Sequence, residues 1–206
     1  MNKQTMYKLT YGLFVLTAHE HGKDNGCIIN TAGQVTSVPN RISVAVNKSN
    51  YTHDMILRTG VFNISIISED ADFELFKHFG FQTGRDTDKF KDFKDAKIAA
   101  NGVLYVTKGT NAWISASVVQ SVDLGTHTLF IAGVTDMDIL SDAPSVTYTY
   151  YQDHIKPKPQ EPSKPAGKPA WRCKICGYIY EGETLPDGFE CPLCKHPAED
   201  FEKIYL

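Results

Sequence analysis

The stretch CKICGYIYEGETLPDGFECPLC, residues 173–194, decides the fold of the C-terminal part of the chain. It contains two Cys-x-x-Cys pairs, Cys173 with Cys176 and Cys191 with Cys194, and fourteen residues separate the pairs. Two residues between thiolates allow one tight turn to present both sulfurs to one ion, and two facing turns complete a tetrahedron. The pattern therefore predicts a small metal domain, although tetrahedral sulfur ligation alone suits either zinc or a single iron.

The remaining composition is that of an ordinary globular protein. The chain has 206 residues, of which 42% are hydrophobic and 22% charged, which argues for a buried core and against disorder. Its net charge of -3 argues against broad binding to nucleic acid. The first residues carry no secretory signal pattern and no apolar run reaches 18 residues, so we expect a cytoplasmic protein with no membrane span. In a reducing compartment, clustered cysteines indicate metal ligands or redox groups.

Prolines are concentrated in one segment. Five of the ten prolines lie in KPKPQEPSKPAGKPA, residues 156–170. Proline-rich segments favour an extended conformation, and fifteen residues of it span roughly 45 Å. The segment is predicted to be a semi-rigid tether between a domain over residues 1–155 and a metal domain over residues 171–206.

The first 155 residues are predicted to be mainly β-strand. Alternating apolar positions and β-branched residues predict strands at 11–18, 26–33, 42–47, 61–67, 103–108, 112–124, 126–138 and 146–151. Gly125 lies between two of the long strands, which indicates a tight hairpin. Many antiparallel strands with few helices favour a β-barrel.

Two patches have helical spacing, residues 51–59 and 70–79. In the second patch Phe73, Phe76 and Phe79 recur every three residues, and we expect them in the core. The charged stretch RDTDKFKDFKDAK, residues 85–97, is interpreted as a solvated loop or helix that borders the active site. Cys27, apart from the other cysteines, is predicted to be a buried strand residue.

The surroundings of the cysteines distinguish between the two metals. The pattern CxxCGYxY, a Pro-Asp pair shortly before Phe189, CPxC and a later Phe201 together cover residues 171–206. This region resembles rubredoxin, and especially the rubredoxin-type tails of rubrerythrins, which implies one iron ion held by Cys173, Cys176, Cys191 and Cys194. Lys195 stands where the rubredoxin pattern has a second glycine. Seven acidic residues against four basic ones in the domain predict a basic partner surface.

An iron-tetrathiolate centre sets a requirement on the rest of the chain. It passes one electron at a time and cannot accept hydride, whereas a flavin takes hydride and releases single electrons. The sequence contains neither a Rossmann GxGxxG after a strand nor a P-loop, so any phosphate must be held in another way.

A candidate flavin-binding segment lies at residues 25–56, with the sequence NGCIINTAGQVTSVPNRISVAVNKSNYTHDMI. Together with HFG at 78–80 and GTHTLFIAGV at 125–134, it resembles the flavin reductase-like family. The resemblance extends over residues 5–152. It implies a mainly β fold, an FMN-binding split β-barrel, followed by the small C-terminal rubredoxin-like metal domain.

The resemblance also implies contacts to FMN, the predicted cofactor beside iron. Asn30, Thr31 and Ala32 would line the isoalloxazine, with Ser37 and Pro39 in the following loop, and Asn47, Lys48, Ser49, Tyr51 and Thr52 would meet the ribityl chain and phosphate. His127 would lie near the flavin or the nicotinamide as a candidate catalytic residue. From the residues alone, NKSNYT is a solvated turn with a helix cap, and His127 is a strand-edge histidine.

The two domains in one chain resemble the high-molecular-weight rubredoxins of anaerobic bacteria. That resemblance implies a homodimer passing electrons from NADH or NADPH through FMN and iron to a flavodiiron protein that reduces oxygen or nitric oxide, in protection against oxidative or nitrosative stress. One alternative is a flavin reductase that releases reduced flavin and carries a zinc-ribbon docking tail. Another is a non-enzymatic module that stores FMN and whose ribbon recognises a protein or nucleic acid.

Overall fold

The computed structural model describes residues 2–157 and 168–206. The chain divides into two compact units, Met1–Lys156 and Pro157–Leu206. None of the helices in the described ranges is long and apolar enough to cross a membrane.

The first unit is mainly β. Its elements in chain order are a 3-10 helix (Lys3–Lys8), β1 (Phe14–Glu20), β2 (Lys23–Ile29), β3 (Gly33–Ser37), β4 (Asn40–Asn47), α1 (Tyr51–Thr59), β5 (Val61–Ile67), α2 (Phe73–Gly80), β6 (Ala96–Ile98), β7 (Leu104–Val106), β8 (Thr110–Asp123), β9 (His127–Ile139) and α3 (Tyr148–Tyr150), which continues as a π-helical turn (Tyr151–Ile155).

Seven of these strands form one antiparallel sheet in the order β2-β1-β5-β8-β9-β4-β3, and β6 pairs with β7. Residues from β2 and from β4, which are far apart in that order, meet in one core, as Cys27 and Val44 do. Helix α1 adds Met55 and Ile56 to the same core. The sheet therefore curls around its own core in the way the barrel prediction requires.

Strand β1 is buried on both faces because a second core lies outside the curled sheet. Leu16 packs in the inner core, whereas Val15 packs with Phe76 and Phe79 of α2 in the outer core. Alternate residues of a strand point to opposite faces, so β1 separates the two cores. The aromatic stripe predicted for α2 is confirmed as core at Phe76 and Phe79, with Phe73 half-buried beside them.

Helix α1 has the bounds that the sequence predicts, because both of its ends carry local signals. The side chain of Asn50 accepts a hydrogen bond from the amide of Thr52 at 3.2 Å and caps the N-terminus. Gly60 adopts a left-handed φ of 71° and ends the helix. The Gly125 hairpin is likewise confirmed, with a left-handed φ of 81° between β8 and β9.

The strand predicted at 146–151 is wrong. After an isolated bridge at Thr147, the chain turns into α3, and the Thr147 hydroxyl accepts a hydrogen bond from the amide of Tyr150. The ring of Tyr151 then packs 4.4 Å from the ring of Phe76 on α2. Packing against α2 overrides the β-propensity of this Thr- and Tyr-rich segment.

The charged stretch 85–97 is mostly an exposed loop, as expected, but part of it is anchored in the barrel domain. Lys89 is only 3% exposed, and its ammonium donates to the carbonyls of Gly26 and Phe79 at 2.8 and 2.9 Å. Phe90 and Phe93 pack against the outer core. Burial lowers the pKa of Lys89 to about 8.

The second unit is a three-stranded antiparallel sheet in the order β11-β10-β12. Its elements are β10 (Pro169–Cys173), β11 (Ile179–Glu181), a 3-10 helix (Ala198–Asp200) and β12 (Phe201–Tyr205). The ring of Phe189 lies 4.9 Å from Tyr180 and 5.3 Å from Phe201, forming a small aromatic core. Most of the predicted tether falls on residues 158–167, outside the described ranges, and its last two residues belong to β10.

Candidate metal centre and flavin site

Each Cys-x-x-Cys pair closes the same kind of turn. The amide of Gly177 donates to the carbonyl of Cys173, and the amide of Lys195 donates to the carbonyl of Cys191, both at 2.9 Å. Gly177 and Lys195 both have a left-handed backbone, with φ of 79° and 61°. Glycine adopts this conformation freely, whereas a residue with a Cβ adopts it at a cost of about 1 kcal/mol.

The four thiols converge on one point. Their sulfur atoms all lie within 4.8 Å of one another. The Cys173 and Cys194 sulfurs are 3.6 Å apart, and those of Cys176 and Cys191 are 3.4 Å apart. Metal–sulfur bonds of about 2.3 Å in a tetrahedron place sulfurs about 3.8 Å from each other. The predicted ligand set is therefore assembled and fits one tetrahedral metal ion.

Backbone hydrogen bonds and burial have opposite effects on the pKa values of these thiols. Burial raises the pKa of Cys176 and raises that of Cys194 to about 12, while backbone hydrogen bonds from Tyr178 and His196 respectively oppose the rise. Burial also opposes ionisation of Cys191, but backbone hydrogen bonds from Cys194 and Leu193, together with hydrogen bonds from the Cys176 and Cys194 thiols, outweigh burial and lower its pKa. A metal cation stabilises buried thiolates that would otherwise hold their protons.

The turn between β4 and α1 gathers most of the predicted phosphate contacts. Asn47 ends β4, and its side chain accepts a hydrogen bond from the amide of Ser49 at 2.9 Å. The pairing of β4 with β9 places His127 directly opposite Asn47. The structure thus brings the candidate catalytic residue beside the exposed turn that leads to Tyr51 at the start of α1.

Thr31 fastens the other half of the predicted site to β4. Its hydroxyl donates to the carbonyl of Ala45 at 2.7 Å and accepts from the same residue's amide at 3.2 Å. The next residue, Ala32, lines a cleft of about 350 Å³ together with Phe14 and Ile42. The walls of this cleft are mainly apolar, which suits a flat aromatic ring.

Four predicted contacts lie at an exposed turn or have other partners in the structure. Ser37 and Pro39 are exposed at the β3–β4 turn, where Ser37 pairs with Asn40, a residue that lines the same cleft as Ala32. Thr52 is buried, and its hydroxyl accepts a hydrogen bond from the Asn25 amide at 2.8 Å. The ammonium of Lys48 lies 2.7 Å from a carboxylate oxygen of Asp123.

Two cations next to Tyr51 were not identified from the sequence. The ammonium of Lys23 and the guanidinium of Arg85 lie 4.9 and 5.2 Å from the Tyr51 ring centroid. Lys23 also donates to the carbonyl of Gly84 at 2.7 Å. The N-terminus of a helix favours anions, and these two charges reinforce it. The charged stretch beginning at Arg85 was the only sequence signal for a cationic site here. That this stretch lies next to α1 depends on the fold and could not be inferred from the sequence.

Asp54 holds Arg85 in place. One of its oxygens accepts from the Arg85 guanidinium at 2.7 Å, and the other lies 3.0 Å from Nδ1 of buried His53. Burial raises the pKa of Asp54, but hydrogen bonds from His53 and Arg85 outweigh burial and lower it. The other ring nitrogen of His53 lies 2.8 Å from the hydroxyl of Thr128 on β9. His53 therefore anchors Asp54 from the barrel side.

Asn25 lies against the loop that carries Arg85. Its side-chain oxygen is buried without a hydrogen-bond partner among the described residues, and it faces Gly84. A Cβ on Gly84 would lie 2.0 Å from that oxygen, so only glycine permits this approach.

Nearby, Cys27 is 4% exposed in β2, which confirms it as a buried strand residue.

The apolar cleft, the cationic helix N-terminus and the tetrathiolate turns define a flavin-binding barrel joined to a rubredoxin-type iron domain. A family model, the flavin reductase like domain, matches residues 6–158, and a rubrerythrin, rubredoxin-like domain matches residues 171–202. The chain belongs to the flavin reductase-like family, carries a C-terminal rubredoxin-like domain, and has a flavin and one iron as its cofactors.

The chain is similar to known proteins over its whole length or over most of it. The chain is 34% identical to the high molecular weight rubredoxin of Moorella thermoacetica, over 99% of this chain and 100% of that protein. It is 37% identical to a ferric-chelate reductase (NAD(P)H) of Archaeoglobus fulgidus, over 79% of this chain and 94% of the relative. An FMN-binding protein from Thermus thermophilus matches the fold with a TM-score of 0.61 at 19% identity, over 69% of this chain and 83% of that one. The protein is thus an oxidoreductase of the flavin reductase-like family that carries a rubredoxin-like electron-transfer domain.

Proposed function

We propose that the protein takes electrons from NADH or NADPH on FMN and delivers them singly, through its iron, to a protein acceptor. Bound flavin would supply the exchange between hydride and single electrons, which neither the nicotinamide nor the iron site performs alone. The observation that carries the proposal is the assembled tetrathiolate in a chain whose other unit has the flavin reductase fold.

The two ends of the flavin site suit the two ends of FMN. The apolar cleft at Ala32 would receive the ring system, and Asn30 and Thr31, which directly precede Ala32 in the chain, would contact the ring. The turn from Asn47 to Thr52 would receive the phosphate, because a helix N-terminus and the Lys23 and Arg85 charges favour a dianion. The predicted contact Lys48 would join them after exchanging its Asp123 partner.

His127 is proposed to orient the bound nicotinamide or flavin. Its ring nitrogen Nδ1 lies 2.9 Å from the Thr126 hydroxyl, and its strand position faces Asn47. Direct hydride transfer between stacked rings requires positioning and no proton-transfer residue. A positioning role is therefore sufficient for His127.

The proposed acceptor is a flavodiiron protein that reduces oxygen or nitric oxide, which would place the protein in oxidative or nitrosative stress protection. The support is the iron domain, which a flavin reductase serving free flavin does not need. We also propose a homodimer with FMN near its interface. Its support is the apolar surface left exposed on β8 and β9 and at the turn between them: Val119, Val122, Leu124, Met137 and Ile139.

Rapid anaerobic mixing of the holoprotein with NADH tests the proposed electron path. We expect flavin absorption to bleach first and ferric-thiolate absorption afterwards, with the flavin retained on the protein through gel filtration. Protein stripped of flavin should leave its iron oxidised, and added FMN should restore iron reduction. One zinc per chain in place of iron, or release of reduced flavin with the iron still oxidised, would support the zinc-ribbon flavin reductase instead.

A further inference from the structure

The accessible edge of the metal centre is bordered by aliphatic and cationic side chains. Cys194 is the one ligand of the four that is only half-buried. Its neighbours Leu193 and Lys195 are exposed, Leu193 by 46%. Ile175, which holds the corresponding position in the first turn, is 40% exposed. We call Lys174, Ile175, Leu193 and Lys195 the metal rim.

The charge of the metal rim is opposite to that of its domain. The six residues of the two turns other than the cysteines include two lysines and no carboxylate. Lys174 is exposed, with its ammonium 3.4 Å from the carbonyl of Glu199. Two of the seven carboxylates, Glu181 and Glu202, belong to the sheet, where Glu202 is paired with Arg172 at 2.5 Å. The number of acidic and basic residues in the whole domain therefore does not describe the charge at the two metal-binding turns.

Lys195 occupies its position at a cost to the backbone. Its φ is 61°, and Gly177 shows at the equivalent position that the turn needs no side chain. A lysine in this conformation costs about 1 kcal/mol relative to glycine. Strained residues that persist beside a reactive centre indicate a role for the side chain. The fold does not require the Lys195 side chain, so its charge is what remains to be explained.

We propose that the metal rim docks an electron-transfer partner through a surface of carboxylates around an apolar centre. The inference rests on the proposed function, in which electrons leave the protein through the iron. The acidity of the whole domain predicted a basic partner surface, whereas this proposal predicts an acidic one. The partner surface complements the charges that it contacts at the metal rim, and not the net charge of the domain. Ile175 and Leu193 would supply the apolar contact, and the two lysines would select a partner surface of negative charge.

Two small one-electron oxidants, one an anion and the other a cation, test whether the charge of the metal rim is positive. The iron, reduced by dithionite, is mixed with hexacyanoferrate(III) or with tris(phenanthroline)cobalt(III), each of which takes one electron from ferrous iron. At low salt, a trivalent anion near one lysine gains about 1 kcal/mol or more, so Lys195→Gln should slow oxidation by hexacyanoferrate(III) about fivefold or more. Oxidation by the cobalt cation should not slow, and added salt should remove the difference.

Lys203→Gln is the matched control, since Lys203 is an exposed lysine on β12 of the same domain. It should change the hexacyanoferrate(III) rate by less than twofold. Equal effects of Lys195→Gln and Lys203→Gln would overturn the proposal, because they would reflect net charge alone. Reduction by dithionite keeps this result separate from the proposed function, which fails instead if NADH does not reduce the iron.

A second measurement does not depend on electron transfer. In full-length protein loaded with redox-inert zinc, the paramagnetic anion hexacyanochromate(III) should broaden the amide resonances of Ile175, Leu193 and Lys195 first. Lys195→Gln should reduce this broadening. Broadening spread evenly over the domain, or centred on the β10–β12 sheet, would contradict docking of anions at the metal rim.

Discussion

Gly177 and Lys195 each follow the second cysteine of a metal-binding turn, and both have a left-handed backbone. The two turns are otherwise closed by the same amide-to-carbonyl hydrogen bond of 2.9 Å. The pair shows that the domain repeats one local geometry around the metal, once with glycine and once with a residue that strains it.

Lys195→Gly should therefore stabilise the iron domain. The glycine removes about 1 kcal/mol of backbone strain, although it also increases the entropy of the unfolded chain, so the expected gain is about 0.5–1 kcal/mol. Chemical denaturation followed through the ferric-thiolate absorption measures this change. Lys195→Ala, which removes the charge and keeps the strain, should give no gain. A loss of stability in Lys195→Gly would show that the lysine side chain supports the fold.

Arg85→Gln should weaken binding of FMN about tenfold. The guanidinium lies beside Tyr51 at the N-terminus of α1, where a phosphate would gain a charge-assisted hydrogen bond of about 1.4 kcal/mol or more. Fluorescence titration of flavin-free protein measures the affinity. Riboflavin, which lacks the phosphate, serves as the internal control and should bind both proteins equally. If both ligands weaken alike, Arg85 supports the fold of the site and does not contact phosphate.

Gly84→Ala should displace the loop that carries Arg85. The new methyl group would meet the buried side-chain oxygen of Asn25, and the Asn25 side chain is held in place because its amide nitrogen donates a hydrogen bond to the Thr52 hydroxyl. We expect a destabilisation of about 1–3 kcal/mol, typical of overpacking, together with weaker FMN binding. Asn25→Ala in the same chain should recover part of the loss. Additive effects of the two substitutions in a double-mutant cycle would refute the contact.

Lys89 should make the stability of the barrel rise with pH. Its pKa in the fold is about 8, below the ordinary lysine value of 10.5, so between these values the unfolded chain binds more protons than the folded one. Stability then increases as pH rises through this window, by about 2 kcal/mol between pH 7 and 9.5. The comparison of the wild-type protein with Lys89→Met isolates this contribution, which should be absent from the variant. Parallel pH profiles for the two proteins would show that Lys89 stays protonated when buried.

The parts of the molecule that depend on local spacing could be predicted from the sequence. The cysteine turns and α1 are of this kind, because two residues between thiolates and the caps Asn50 and Gly60 act over a few residues. The helix at Tyr148–Tyr150 could not be predicted, because packing against α2 decides it. Lys23 and Arg85 also escaped prediction, since the contact between Lys23 and Gly84 joins segments 61 residues apart.

Anaerobic titration of the holoprotein with NADH tests the central claim most directly, that one chain converts hydride into single electrons on iron. Flavin takes two electrons and iron takes one, so we predict that flavin and ferric-thiolate absorption are both fully bleached at about 1.5 NADH per chain. If only the flavin is bleached, at about one NADH per chain, and the iron stays oxidised, the two centres are not connected and the proposed function is wrong.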